Sequence, residues 1–128
     1  MKPTVYLYNL QSEKGRQIEL LCLGQGIACR HVAANEYGVR IGYIAEIEGF
    51  DATIKSEVTQ PFVDEMMILK AFDQNLLETF LSQYKNAGIE VIPLKAALTP
   101  TNVHWSSIEL HAELVQERDE FLKQRKNR

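Results

Sequence analysis

Cysteine is scarce in this sequence. Two in 128 residues, Cys22 and Cys29, cannot build a disulfide framework, and no Cys/His cluster supplies the four ligands of a structural zinc. A reducing, cytoplasmic setting is the expectation. Long apolar runs are missing too: no window approaches the ~18 residues of a spanning helix, which argues against a membrane protein. The first 16 residues hold only a short apolar run, broken by Asn9, Gln11 and Ser12, and do not read as a signal peptide. Neither sign of charge dominates. Fourteen Lys and Arg against 17 Asp and Glu give a net charge of −3, which argues against a chain devoted to neutralising nucleic-acid phosphates. Histidines number three; His104 and His111 are seven positions apart, too far for one metal held by adjacent turns. No metal and no cofactor are therefore expected.

What is present is 45% hydrophobic and 24% charged residues, enough for one folded domain over 1–128. Residues 4–10 (TVYLYNL) are β-branched, aromatic and aliphatic and run into a polar cluster, which predicts a strand followed by a helix over 12–25. Ile18, Leu21 and Cys22 share one side of that helix, and Gly26 ends it. Residues 27–33 (IACRHVA) read as the next strand. The same order returns with a strand at 66–72 (MMILKAF), Asp73 as N-cap, and Leu76, Leu77, Phe80, Leu81 and Tyr84 at helical spacing. Gly88 and a strand at 89–94 (IEVIPL) complete it. Gly26 and Gly88 are 62 positions apart. The predicted plan is a βαβ unit at 4–33, a connection at 34–63, a second βαβ unit at 64–94, and a C-terminal loop and helix at 95–128. The connection is expected to hold a short helix from Arg40 to Glu48, ended by Gly49, and an exposed stretch at 51–61. The last helix is expected to reach about Gln124, with Trp105, Ile108, Ala112, Val115 and Leu122 on its apolar face.

Two such units predict an α/β (α+β) two-layer sandwich: a ferredoxin-like sheet of four antiparallel strands in the order 4-1-3-2, two helices on one face, an extra short helix and a long C-terminal helix. Pro93 suits an edge strand, and the apolar first and third strands suit the centre. The second sheet face needs cover from the short helix, the C-terminal helix, or a second copy in a homodimer.

Polar residues concentrate at 94–105 (LKAALTPTNVHW). A loop feeding a helix start there suits a small anionic ligand, with Lys95, Thr99, Thr101 and Asn102 as its partners and Trp105 as a stacking platform. The same residues also make a plain helix start, with Thr99 or Asn102 as cap, Pro100 in the first turn, Ser106 and Glu109 as a capping box, and Trp105 closing the core. Lys95 or His104 is the acid–base candidate of an alternative enzymatic reading. Cys22 and Cys29 read as small hydrophobes. The basic tail at 123–128 complements the dipole of the last helix.

Residues 93–102 (PLKAALTPTN), with Trp105, Glu109 and Leu110, resemble the PLKAxLTxTNxxW signature of a small bacterial family classed as a domain of unknown function; residues 66–89 and the N-terminal VYLYNL and KGRQIELLCLGQGI are similar to it as well. The resemblance implies no activity. It implies that Lys95, Thr99, Thr101, Asn102 and Trp105 are the residues to test first. The sequence thus predicts a binding or regulatory module for a small anionic ligand or a protein partner, with a small enzyme or a structural dimerisation module as alternatives.

Overall fold

The apolar run near the N-terminus forms β1 (Thr4–Tyr8), and the polar cluster after it opens α1 (Glu13–Gly24), where the Ser12 hydroxyl accepts the Gly15 amide at 3.3 Å. β2 (Ala28–Val32) follows. Then come a 3₁₀ turn (Ala34–Glu36), the short α2 (Ile41–Ile44), β3 (Met66–Lys70), α3 (Gln74–Asn86), β4 (Leu94–Ala97), a second 3₁₀ turn (Asn102–His104) and α4 (Ser107–Lys126). This is a computed structural model that describes residues 1–126. Asn127 and Arg128, the end of the basic tail, lie outside the described residues. The described residues fall into two compact units, each built from two chain segments: a sheet unit of 1–32 and 64–98, and a second unit of 33–63 and 99–126.

The sheet unit corrects the expected topology. Its order is β2-β1-β3-β4 and it is mixed: β1 and β2 are parallel, β3 and β4 are parallel, and only β1 and β3 are antiparallel. The antiparallel 4-1-3-2 sheet is overturned because each βαβ unit closes on its own neighbour. Past Gly26, at φ +68°, the Ile27 amide returns to the Cys22 carbonyl at 2.9 Å and the Ala28 amide reaches Pro3 O at 2.9 Å, which seats β2 directly on β1. The expectations for the centre and the edge hold: β1 and β3 are central and β4 lies at an edge.

The repeat at 62 positions is structural. β1 and β3 coincide under it, as do the left-handed Asn9 and Ala71 (φ 58° and 61°) and the left-handed Gly26 and Gly88. In the β1/β3 register Tyr6 faces Ile68, while Thr4 faces Lys70 and Tyr8 faces Met66. That pattern is symmetric about the Tyr6–Ile68 pair, so the two βαβ units within the sheet unit meet across a local two-fold. Helices α1 and α3 share one sheet face, where Ile18, Cys22, Phe80 and Tyr84 pack against Val5, Leu7, Met67 and Leu69. Tyr6, Tyr8, Met66 and Ile68 project to the other face and are buried as well.

Two further boundaries differ from expectation. The expected strand at 89–94 is displaced to Leu94–Ala97, which moves Lys95 from a loop into a strand. The short helix ends at Ile44, with Ala45 as its C-cap, rather than at Glu48, because Glu46 adopts φ 58° and breaks the helical path.

In the second unit, Tyr37, Phe62 and His111 stack as three near-parallel rings, with centroids 4.5 and 4.0 Å apart. The stretch at 51–61 is mostly exposed, as expected, and is tied down by its backbone: the Lys55 and Ser56 amides both donate to Gly38 O, at 2.8 and 3.1 Å. The Ser56 and Ser106 hydroxyls lie 2.7 Å apart. Helix α4 starts five residues beyond Asn102. Its start is the Ser106/Glu109 capping box, in which the Ser106 amide donates to Glu109 at 2.9 Å and the Glu109 amide to the Ser106 hydroxyl at 3.1 Å. The Ser106 amide, followed by Lys55 at 3.2 Å, holds the Glu109 carboxyl below its ordinary range. A carboxyl depressed in the folded chain stabilises it above the ordinary glutamate pKa of ~4.3, and that contribution vanishes as pH falls through the lower folded value. The stability advantage of the wild type over Glu109→Gln, measured by urea denaturation, is therefore expected at neutral pH and should shrink on acidification. A difference that does not change with pH would disprove this account of the cap.

Among the described residues no helix is long and apolar enough to cross a membrane.

Candidate functional site

A cavity opens where the second βαβ unit departs from the first. After Gly26 a single residue, Ile27, precedes β2; after Gly88 the five residues 89–93 precede β4. The strand register records the difference. Thr4 faces Ala28 in the first unit, so the repeat would set Met66 against Glu90, yet Met66 faces Leu94. The extra chain becomes a wall beside α3. Ile89 and Ile92 are buried in it, Val91 is exposed, and Pro93, which has no amide to donate, leads into the edge strand.

The cavity measures about 250 Å³. Met67 of β3, Leu81 and Tyr84 of α3, and Ile89, Val91 and Ile92 give it an apolar lining, and Lys85 and Lys95 add two cations. The Tyr84 hydroxyl donates to the Glu90 carbonyl, and burial, with Glu65 and Glu90 close by, pushes its pKa up to about 12. The phenol is thus a neutral donor. Lys14 lies 2.7 Å from Glu65 and 3.4 Å from Val91 O, so it balances that carboxylate and pins the wall. Among the described residues Lys95 donates only to Ile92 O, at 3.4 Å. Among the described residues neither Lys85 nor Lys95 forms an ion pair, so their charges stay available to a ligand.

The residues singled out in the sequence are divided between the two units. Lys95 belongs to the sheet unit and lines this cavity, whereas Thr99, Thr101, Asn102 and Trp105 belong to the second unit. Thr99 and Asn102 engage each other: the Thr99 amide donates to Asn102 Oδ1 at 2.8 Å and the Asn102 amide to Thr99 Oγ1 at 2.9 Å. Asn102 is buried, Thr101 is exposed, and half-buried Trp105 accepts the Ile41 amide at its carbonyl at 2.8 Å. The α-helix start expected at 99–102 is replaced by a single 3₁₀ turn, since the Ser106/Glu109 box sets the start further on.

Residues 65–121 match the model of the family described as Domain of unknown function (DUF3783). This agrees with the resemblance carried by residues 93–105. The matched stretch contains every residue that lines the cavity, from Met67 to Lys95, and also Thr99, Thr101, Asn102 and Trp105. No curated protein and no solved structure matches the chain.

His104 lies elsewhere, in an open groove of about 490 Å³ with Arg40, Glu48, Phe50 and Asp51, its ring 5.2 Å from that of Phe50. Hydrogen bonds from Thr53, reinforced by Arg40, keep the Asp51 carboxyl ionised below its usual range. The groove carries both signs of charge and is open to solvent, which suits a wet surface better than enclosed chemistry. Among the described residues no group of three or more His, Cys, Asp or Glu side chains is placed to hold a metal.

Sequence reasoning missed Tyr84, Ile89, Val91 and Ile92 as site residues. Their only sequence signal is Pro93, which sits badly inside the strand predicted there.

Proposed function

We propose that the chain is a binding module for a small anionic ligand with an apolar body, taken up in the cavity beside residues 89–95. One observation carries the reading: an apolar cavity edged by Lys85 and Lys95, neither of them paired with a carboxylate among the described residues. Apolar walls supply most of the affinity of such a site, and a single charge-assisted contact orients the ligand. The volume lies near the low end of the ~300–1,000 Å³ usual for small-molecule sites, so a ligand smaller than a nucleotide fits best. Lys95 serves as the anion partner. Thr99 and Asn102 spend their polar groups on the turn that follows.

The enzymatic alternative lacks this support. Lys95 donates to a backbone carbonyl rather than to a carboxylate, and His104 sits in an open groove; acid–base work needs a second polar group within reach.

Calorimetric titration of the full chain with octanoate and with octanamide tests the proposal. Saturable binding of the carboxylate, absent or much weaker for the amide, is expected. Lys95→Met should weaken it about tenfold, ~1.4 kcal/mol, with Lys95→Arg partly restoring it. Equal binding of acid and amide, or an unaffected Lys95→Met chain, would refute the anion role.

A further inference from the structure

Ile89 borders two recesses of the sheet unit. One is the cavity that Lys85 and Lys95 edge; the other is an open groove of about 310 Å³, lined by Gln17, Leu20 and Leu21 of α1, Ala87 at the end of α3, and Ile89 itself. Local structure accounts for the groove. Helical spacing sets Ile18 and Cys22 of α1 into the core, which turns Leu20 and Leu23, three positions apart, toward solvent at 62% and 76% exposure. Ala87, the C-cap of α3, is small, and Gly88 after it reverses the chain at φ +72°, so that Ile89 returns to the side of Leu20 and Leu21. The two recesses differ in charge. Cations stand at the cavity, whereas the groove has no charged side chain in its lining and a single polar one, Gln17. Surface leucines are ordinary when single, but two on one helix face beside a groove make an apolar strip that gains by being covered.

We propose that the ligand is a long-chain anionic amphiphile, a fatty carboxylate longer than octanoate, whose head group meets Lys95 in the cavity and whose tail crosses Ile89 into the groove along Leu20 and Leu21. The inference rests on the reading of the cavity as an anion site and adds the length of the ligand. Cations at one end and uncharged apolar surface at the other are what an amphiphile needs: the carboxylate keeps an ion pair while its methylenes leave water. Together the two recesses come well inside the ~300–1,000 Å³ usual for small-molecule sites, of which the cavity alone reaches only the low end. Because the groove is open, it covers a tail on one side only. A methylene fully removed from water tightens binding about fourfold, from ~0.8 kcal/mol, so about twofold is expected for each one lying in the groove.

Calorimetric titration of the full chain with octanoate and with dodecanoate reads the ratio of two dissociation constants. Dodecanoate is expected to bind about tenfold tighter, with one molecule per chain. Leu20→Gln should bring the ratio down toward one, since a polar amide then faces the tail. Leu20 is largely exposed, so the substitution leaves the core intact. Octanoate bound saturably with no advantage for dodecanoate would overturn this inference and leave the anion site standing; no binding of either would overturn both. Two dodecanoates per chain would make cavity and groove separate sites, and a length advantage that Leu20→Gln does not reduce would place the tail elsewhere; either result overturns the path across Ile89. A ligand-free dimer in sedimentation that Leu20→Gln dissociates, with no advantage for dodecanoate, would assign the groove to a second copy instead.

Discussion

Gly15→Ala is expected to cost the sheet unit at least ~3 kcal/mol, seen as a large fall in the urea midpoint. Gly15 sits in the first turn of α1, and a Cβ there would land on the Leu10 carbonyl, inside any tolerable contact. The obstacle is backbone, so no side-chain rotation relieves it. Leu10 is fully buried, left-handed Asn9 fixes its direction, and the Ser12 cap fixes the Gly15 amide. The strain is relieved only if α1 lifts from β1 and opens the cluster around Ile18 and Cys22. With total stabilities of ~5–15 kcal/mol usual for a domain, such a loss is a large fraction. Gly24, with open space where its Cβ would stand, is the control: Gly24→Ala should be neutral or stabilising by up to ~1 kcal/mol through helix propensity. An unchanged midpoint for Gly15→Ala would contradict the close approach of α1 to β1.

Phe80→Ala is expected to cost ~3–5 kcal/mol, the range for removing a fully buried aromatic ring. Phe80 is the counterpart of Ile18 under the 62-position repeat, and both are fully buried on the helix-covered face. Its ring meets Phe72 edge-on at 5.5 Å and lies 6.1 Å from Tyr84. Because Leu81 and Tyr84 of the same helix line the cavity, the lost ring should also weaken octanoate binding under conditions where the variant still folds. Chemical denaturation measures the first effect; a cost below ~1 kcal/mol would mean that Phe80 is not a core residue.

Local features were legible in the sequence. Ser12, Asp73, Gly26 and Gly88 sit where caps and helix ends need them, and the Ser106/Glu109 box is found as read. Strand pairing was not. The orders 4-1-3-2 and 2-1-3-4 both put β1 and β3 at the centre and β4 at an edge, so apolar centre and Pro93 edge fit either. The partners of the two edge strands, β2 and β4, separate them, and the short return through Ile27 and Ala28 seats β2 on β1. The candidate site was legible for Lys95 alone, as one charged residue in a polar stretch. Its apolar walls come from residues 89–93, whose alternating pattern reads as a strand although they form none, since the register of β3 and β4 has moved on to Leu94.

The most direct test of the cavity as a ligand site is an amide ¹H–¹⁵N titration of the full chain with octanoate, repeated on Lys95→Met. Saturable shifts concentrated at Tyr84, Lys85, Val91 and Lys95, and weakened in the variant, are expected. No saturable shift at these positions, or shifts gathered around Arg40 and His104 instead, would contradict it.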